Sequence, residues 1–429
     1  MSLDTQPYKG ARDFYPEDMR FRKWMFDKWR RVVERYGYLE YDAPILERTE
    51  LYLMKGSDEI VNEQTYTFTD RGGRSVTVRT EMTPSVSRMV AGKRQELSYP
   101  ARWYSIPNLW RYERTQRGRL REFWQLNVDM FGVSSEFAEL EMIQIVDDIF
   151  QAFKAKRSSY TIKINSRVLV NTMLANLHLS DNQASAAIRL IDKIQKMPPH
   201  EFAEALDSIT GSKDVSRGII TLLQTKKIDD LPFRLREIAS SQTLKEVIHA
   251  SESIGIRNIE FDISLMRGFD YYTDIVFEVF DNDPENNRSM FGGGRYDGLV
   301  SQFGVESVPT IGFGMGDVTF KDFLETHNLV PKLKSSNDVT VLVRDEHLEN
   351  GYKIARELRE MGVNVAVDYS GRKIDKQIKA AVKSGVKYLL FVDANDVKEE
   401  IFTLKNMSNE KEERHSLHRI VSIVKDARS

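Results

Sequence analysis

LWRYERTQRGRLREFWQLNVDMF, residues 109–131, is the stretch from which the rest of the chain is read. Strand-forming residues at both ends enclose a polar middle that carries five arginines in the eleven positions 111–121. From Arg102 to Phe131 the pattern therefore predicts strand, loop, strand, with RTQRGR (114–119) as the loop. Along the second strand odd positions share a face, which reads Arg119, Arg121, Phe123, Gln125, Asn127, Asp129. Arg111 and Glu113 are contributed by the partner strand. Guanidinium groups suit phosphates, an aromatic ring suits a flat base, and an amide with a carboxylate suits a cationic or hydrogen-bonding ligand. A nucleotide joined to a small polar molecule fits such a row, but so does a plain salt-bridged hairpin bathed in water.

Upstream, Pro16 opens an i, i+4, i+8, i+11 rhythm at Phe21, Met25, Trp29, Val32 and Tyr36, which predicts an amphipathic helix with proline at its first position. GYLEYDAPILER (37–48) is extended, with Pro44 marking an edge or irregular strand. Downstream, a helix is predicted at about 135 to 155, and residues 166–254 are helix-forming with little glycine, as an inserted helical domain would be. Strand patterns return in IEFDISL and DIVFEVF, followed by the glycine clusters FGGGRYDG and IGFGMG. The segment 336–429 alternates strand and helix and ends in a helix, a small α/β domain. Its helix from Lys373 is expected to bury Ile374, Ile378, Ala381 and Val382 and to offer Lys373, Lys376, Lys379 and Lys383 to solvent. The two remaining stretches, 1–165 and 255–330, read as parts of one domain interrupted by the helical insertion.

The chain has 429 residues, with 62 Lys and Arg against 64 Asp and Glu, so polyanions must be held by local patches rather than by a global field. No cysteine is present, which excludes disulfide scaffolds, thiolate zinc sites and cysteine nucleophiles. The seven histidines form no i, i+4 pair, which argues against a zinc helix, and any metal requirement stays open. No targeting signal or membrane span is apparent, and a soluble cytoplasmic protein is expected.

Three further stretches are ambiguous in isolation. RTEMTPS (79–85) has the form of a turn capping a helix, the two tyrosines of MRGFDYYTDIVFEV (266–279) are as suited to a core as to a ligand, and GFGMGD lacks the glycine at 317 that a dinucleotide fingerprint needs. Their order with the arginine-rich hairpin, however, resembles the class II aminoacyl-tRNA synthetases, and within them the histidyl-tRNA synthetase family. KGARDFYPED resembles that family's N-terminal signature, GYLEYDAPILERTELY its dimer-forming first motif, LWRYERTQRGRLREFWQLNVDMFG its second motif, and LMRGFDYYTDIVFEV the stretch peculiar to histidine enzymes. GGGRYDGLV and PTIGFGMG are similar to the third-motif region, and the C-terminal segment with LKNMSNEKEE to the anticodon-binding domain.

The resemblance implies an α+β catalytic domain with a mixed, mostly antiparallel sheet, a helical insertion and a C-terminal α/β anticodon-binding domain. It implies a homodimer that activates L-histidine with ATP and Mg2+ and transfers it to tRNA(His), with Arg111 and Arg267 as catalytic residues at the α-phosphate. ATP would also meet Glu113, Arg119, Phe123, Gly314 and Gly316, the phenyl ring stacking on adenine. Histidine's ammonium would be held by Glu81, Thr83 and Gln125, its imidazole by Asp129 and Tyr272, with Tyr271 and Tyr296 closing the pocket. Arg114, Gln116 and Arg117 would meet the acceptor end of the tRNA.

Two positions depart from the family pattern. Thr319 stands where an adenine-stacking arginine is expected, and Asp129 where many members carry Glu. The altered third motif leaves one alternative in play, a non-catalytic histidine-binding paralogue serving as regulatory subunit of ATP phosphoribosyltransferase; Arg267, the arginine row and the C-terminal domain oppose it.

Overall fold

The structure is a computed structural model, and it describes all residues except 1–2, 54–63, 195–196, 268–270, 287, 345–347 and 428–429. Asp270, beside the tyrosine pair, lies outside the described residues. The chain divides into two compact units, one up to Val330 and one from Pro331 onward.

The first unit is organised by a sheet of nine strands among the described residues. Its order runs Leu39–Glu40, Ala101–Ser105, Glu122–Phe131, Thr310–Gly316, Ser289–Arg295, Ile275–Asp281, Tyr160–Ser166, Ile259–Phe261, with Asn108–Trp110 pairing separately to Glu122–Phe131. Only the two outermost pairings are parallel. This is the mixed, mostly antiparallel sheet that the motif order implied. Pro107, which cannot donate to a ladder, stands between the two short strands that form the first arm of the hairpin.

One face of the sheet is dry. Leu126, Val128 and Met130 point into it from the strand Glu122–Phe131, and helices Pro16–Arg35, Phe137–Ala152 and Asp317–Thr326 close over it. The first of these helices buries Met25, Trp29 and Val32 of the predicted row together with Phe26 and Val33, while Phe21 and Tyr36 are only partly buried against the core. An aromatic cluster lies at the centre: the Phe320 ring is 5.6 Å from Trp29, 5.5 Å from Phe150 and 5.0 Å from Phe153. Between Ser166 and Ile259 every element among the described residues is helical, and the apolar faces of these helices join the same core through Leu169, Ala187, Leu206 and Leu244. A separate three-stranded sheet, Leu46–Arg48, Ser75–Val78 and Tyr66–Thr69 in that spatial order, precedes the hairpin.

The second unit is a five-stranded sheet in the order Val365–Asp368, Val339–Val343, Tyr388–Val392, Phe402–Asn406, Glu412–His415. The first three strands are parallel and the last two form an antiparallel hairpin that the alternating pattern did not reveal. The helix Ile374–Lys383 is turned from its expected setting: Val382 is exposed, whereas Gln377 is buried with its amide donating to the Arg372 carbonyl at 2.7 Å. The four lysines 373, 376, 379 and 383 do face solvent.

Truncating Phe320 to Ala would leave a void among Trp29, Phe150 and Phe153. The expected cost is about 3 to 5 kcal/mol of unfolding free energy, read from urea denaturation.

Candidate active site

The opposite face of the large sheet carries a cleft of about 370 Å³. Its floor is built by the alternation of the strand Glu122–Phe131, where Gln125, Asn127 and Asp129 point into the cleft while their neighbours enter the core. Opposite these three in the adjoining strand stand Gly316, Gly314 and Gly312. A Cβ at Gly314 would come within 2.7 Å of the Gln125 amide carbon, and one at Gly312 or Gly292 would collide with Asp129 or Arg267. The glycines thus make the room that the polar side chains occupy. Gly292 and Gly312, together with Asn127, were not among the residues singled out from sequence, although Asn127 stood on the predicted face.

The walls come from three other segments. Arg79 is buried and donates to the carbonyls of Asn108 (2.9 Å) and Ala43 (2.6 Å) and to Asp42 (2.9 Å), which ties residues 79–83 to the hairpin. Glu81 and Thr83 are thereby set at the start of the helix Thr83–Lys93. Arg111 donates from Nε to the Thr80 carbonyl at 3.0 Å, and its guanidinium lies 5.3 Å from the Phe123 ring centre. From the far side come Arg267, Tyr271 and Tyr272. Tyr296 is placed by its neighbour Arg295, which makes a buried two-pronged pair with Glu139 at 2.7 Å on each prong.

Two buried carboxyl groups dominate the electrostatics. Burial pushes Glu81 up to about 7, against the opposing pull of Arg111, of the Tyr271 hydroxyl that donates to it at 3.0 Å, and of Arg267. Burial likewise pushes Asp129 up to about 7, although the hydroxyls of Tyr296 and, at 3.5 Å, Tyr41 donate to it. Asp129 has phenols for company and no basic side chain in ion-pair contact among the described residues. Arg267 donates to Glu278 at 3.2 Å and lies 5.5 Å from the Tyr272 ring centre. Its Nε is buried without a partner among the described residues, a donor left open in a polar cleft.

Of the residues picked out from sequence, Glu81, Thr83, Arg111, Gln125, Asp129, Arg267, Tyr271, Tyr272, Tyr296 and Gly314 line this cleft. Phe123 adjoins it through Arg111, and Glu113 lies 3.9 Å from Arg111 and 3.7 Å from Arg119. Gly316 ends its strand and caps the helix Asp317–Thr326. Arg114, Gln116 and Arg117 are exposed on the loop, where Gln116 and Arg119 form a tight bridge and Arg117 reaches the Glu285 carbonyl at 3.4 Å. Arg121 leaves the predicted row: its backbone N–H donates to the Gly10 carbonyl and its guanidinium stacks 4.0 Å over Tyr112. Thr319 donates its hydroxyl to the Met290 carbonyl at 3.0 Å, so this position ties helix to sheet.

An antiparallel sheet backed by helices, with an arginine-bearing hairpin and a glycine floor facing a polar cleft, defines a class II aminoacyl-tRNA synthetase fold. The family model for histidyl-tRNA synthetase matches residues 10–316, and the one for an anticodon binding domain matches residues 334–427. The chain belongs to the histidyl-tRNA synthetase family. Among curated relatives, a histidine–tRNA ligase of Leptospira biflexa is 43% identical over 413 residues, covering 95% of this chain and 94% of the relative. One of Thermoplasma volcanium is 33% identical over 431 residues, covering 100% of both. The crystal structure of histidyl-tRNA synthetase from Nostoc sp. PCC 7120 superimposes with a TM-score of 0.84 at 22% identity, over 99% of this chain and 100% of that one.

Because Asp129 and Glu81 hold their protons more tightly when folded, they favour the folded state most at low pH. Below the ordinary carboxyl range both states are protonated; above it only the unfolded chain ionises freely, so stability falls as pH rises and levels off above about 7. Asp129→Asn should reduce that fall by roughly 3 to 4 kcal/mol between pH 4 and 8 in the unliganded protein. Chemical denaturation across that range checks it, and parallel slopes for wild type and variant would contradict the assignment.

Proposed function

We propose that this chain is a histidine–tRNA ligase, which activates L-histidine with ATP and esterifies it to the 3' end of tRNA(His). The observation that carries the reading is the polarity of one cleft: two guanidinium groups, Arg111 and Arg267, toward one end and a buried carboxyl without a basic partner, Asp129, at the other. An amino acid with a hydrogen-bonding cationic or imidazole side chain and a nucleotide phosphate satisfy both ends together. Family membership and relatives named histidine–tRNA ligase at 33 to 43% identity support the choice of histidine.

In the first step a carboxylate oxygen of histidine attacks the α-phosphorus of ATP, the bond from that phosphorus to the α,β-bridging oxygen breaks, and pyrophosphate leaves. The attacking group is already ionised at neutral pH, so no base is required. What remains is to hold the reactants in line and to stabilise charge on phosphorus. Arg111 and Arg267 take that role, the open Nε of Arg267 offering a donor to an incoming oxygen. Phe123 stacks on adenine, Arg119 and Glu113 border the outer phosphates, and Gly314 and Gly316 let the nucleotide lie close to the strand. ATP enters as its Mg2+ complex, in which phosphate oxygens and water supply most of the coordination. Glu81, Thr83 and Gln125 receive the ammonium group.

Asp129 and Tyr272 receive the imidazole, with Tyr271 and Tyr296 closing over it. Loss of either partner leaves the other polar group buried and unpaired, which is the strongest route to rejecting apolar amino acids. In the second step a ribose hydroxyl of the terminal adenosine attacks the carbonyl carbon and AMP departs with the bonding electrons. Arg114, Gln116 and Arg117, on the exposed loop, take the acceptor end, and the segment 336–429 takes the anticodon. The catalytic work falls to 1–165 and 255–330, with 166–254 as the insertion. We assign the protein to the cytoplasm; among the described residues no helix is long and apolar enough to cross a membrane. Leu39, Ile45 and Leu46 of the first-motif stretch are exposed large apolar residues, which supports a homodimer joined there.

Histidine-dependent exchange of labelled pyrophosphate into ATP, without tRNA and with the other nineteen amino acids as controls, tests the function. Exchange with histidine alone is expected; binding of histidine without exchange would favour the regulatory paralogue. Arg267→Ala should slow exchange by roughly 10²- to 10³-fold, and Asp129→Asn should raise the KM for histidine while leaving that for ATP within a few-fold. Leu46→Arg should halve the mass measured by light scattering if the first-motif region joins two copies.

A further inference from the structure

The second unit carries a pair of aromatic rings that its core does not use. Tyr352, in the helix Leu348–Glu360, and Tyr369, immediately after the strand Val365–Asp368, stack with centroids 5.0 Å apart and planes at 14°. The other closely parallel pairs among the described residues, such as Phe150 with Tyr160 and Phe26 with Trp29, lie in the hydrophobic core. Tyr352 and Tyr369 instead remain 51% and 48% exposed. A parallel stack left in water is a ready surface for a third flat ring.

Its position and rigidity point the same way. The pair lies at the carboxyl ends of the parallel strands, the edge at which open α/β sheets take their ligands. Gly351 sets Tyr352 close to the sheet, because a Cβ there would collide with a methyl of Val343 and lie 3.5 Å from Val367. Tyr369 is held by the turn that follows it: Asp368 accepts from the Ser370 backbone at 2.8 Å, and Arg372 donates from Nε to the Ser370 hydroxyl at 2.8 Å. Cations surround the pair in sequence. Lys353 and Arg356 flank it on the helix, Arg372, Lys373 and Lys376 follow the turn, and all five are exposed, with Arg356 paired to Glu360 at 2.9 Å and Arg372 to Asp368 at 3.6 Å.

We propose that Tyr352 and Tyr369 form a stacking platform for an unpaired base of an RNA loop, with Arg372, Lys373 and Lys376 taking the phosphates that flank it. The RNA is favoured over a protein partner by the basic surround and by the match of residues 334–427 to an anticodon binding domain. This inference rests on the reading of the chain as a tRNA ligase. It names the residues by which the second unit would grip the anticodon loop.

The test uses the full chain and a tRNA(His) transcript. Tyr352→Ala and Tyr369→Ala should each raise the KM for tRNA roughly 5- to 100-fold in aminoacylation, while histidine-dependent pyrophosphate exchange without tRNA stays at the wild-type rate. Tyr→Phe at either position should restore the tRNA KM, since the ring face and not the hydroxyl is used. Tyr369→Leu, which keeps apolar cover without a π face, should remain impaired. Lys373→Ala should weaken tRNA binding and flatten its dependence on salt. A tRNA KM within twofold of wild type for both alanine variants, with exchange intact, overturns the platform and leaves a protein partner as the occupant to seek. Absence of exchange in the wild type would instead count against the ligase reading itself.

Discussion

The period of two in the strand Glu122–Phe131 is the constraint on which the first unit depends. One set of its side chains, Leu126, Val128 and Met130, belongs to the core, and the set between them, Gln125, Asn127 and Asp129, belongs to the cleft. A slip of one residue would exchange the two sets, placing three polar groups among Trp29 and Phe320 and three apolar ones in the cleft. Several contacts hold the register. Asp317 accepts from the backbone N–H of Trp124 at 2.9 Å and from Arg12 at 2.8 Å, and Gly312 leaves room for the Asp129 carboxyl. Stability and chemistry are therefore not separable along this strand.

The cleft is held by compromise among charges. Two acids that would ionise freely in water are buried, and the arginines present offset only one of them. Tyr271 and Tyr296 serve both acids with hydrogen bonds while stacking edge to face at 5.8 Å, so each phenol joins packing to electrostatics. Beneath the cleft, by contrast, the buried carboxyl of Glu139 is held by Arg295 in an ion pair at 2.7 Å.

Much of this was legible in the residues. The N-terminal helix announced itself by periodicity, the second unit by alternation of strand and helix, and the hairpin by its polar middle. Other features depended on partners that sequence does not name. The runs FGGGR and IGFGMG have no alternation to read, because glycine shows no side chain; they belong to strands whose glycines make room for Gln125, Asp129 and Arg267. The face of the helix Ile374–Lys383 is set by its contacts, which took Gln377 inward and left Val382 out. Arg121 fell out of the predicted row because the Gly10 carbonyl captures its backbone just before the ladder begins. Glu81 could be joined to the hairpin only through the family resemblance, since Arg79, which ties the two, looks like any charged residue in a turn. In the hairpin Phe402–Asn406 with Glu412–His415, only Phe402 and Leu404 alternate inward, and the charged second strand has no buried residue to mark it as one.

The pairing of Glu122–Phe131 with Thr310–Gly316 bears on how the protein is made. About 180 residues separate the end of one strand from the start of the other. At ~5 to 20 residues per second a ribosome needs roughly 9 to 36 s to deliver the missing neighbour. During that interval the hairpin can close on itself and the helices between 167 and 253 can form from local contacts, while the future centre of the sheet waits as an open edge. The nascent chain thus carries its cleft-facing strand half paired for about two-fifths of its synthesis, a window in which a holdase or a neighbouring ribosome's product has first access to that edge.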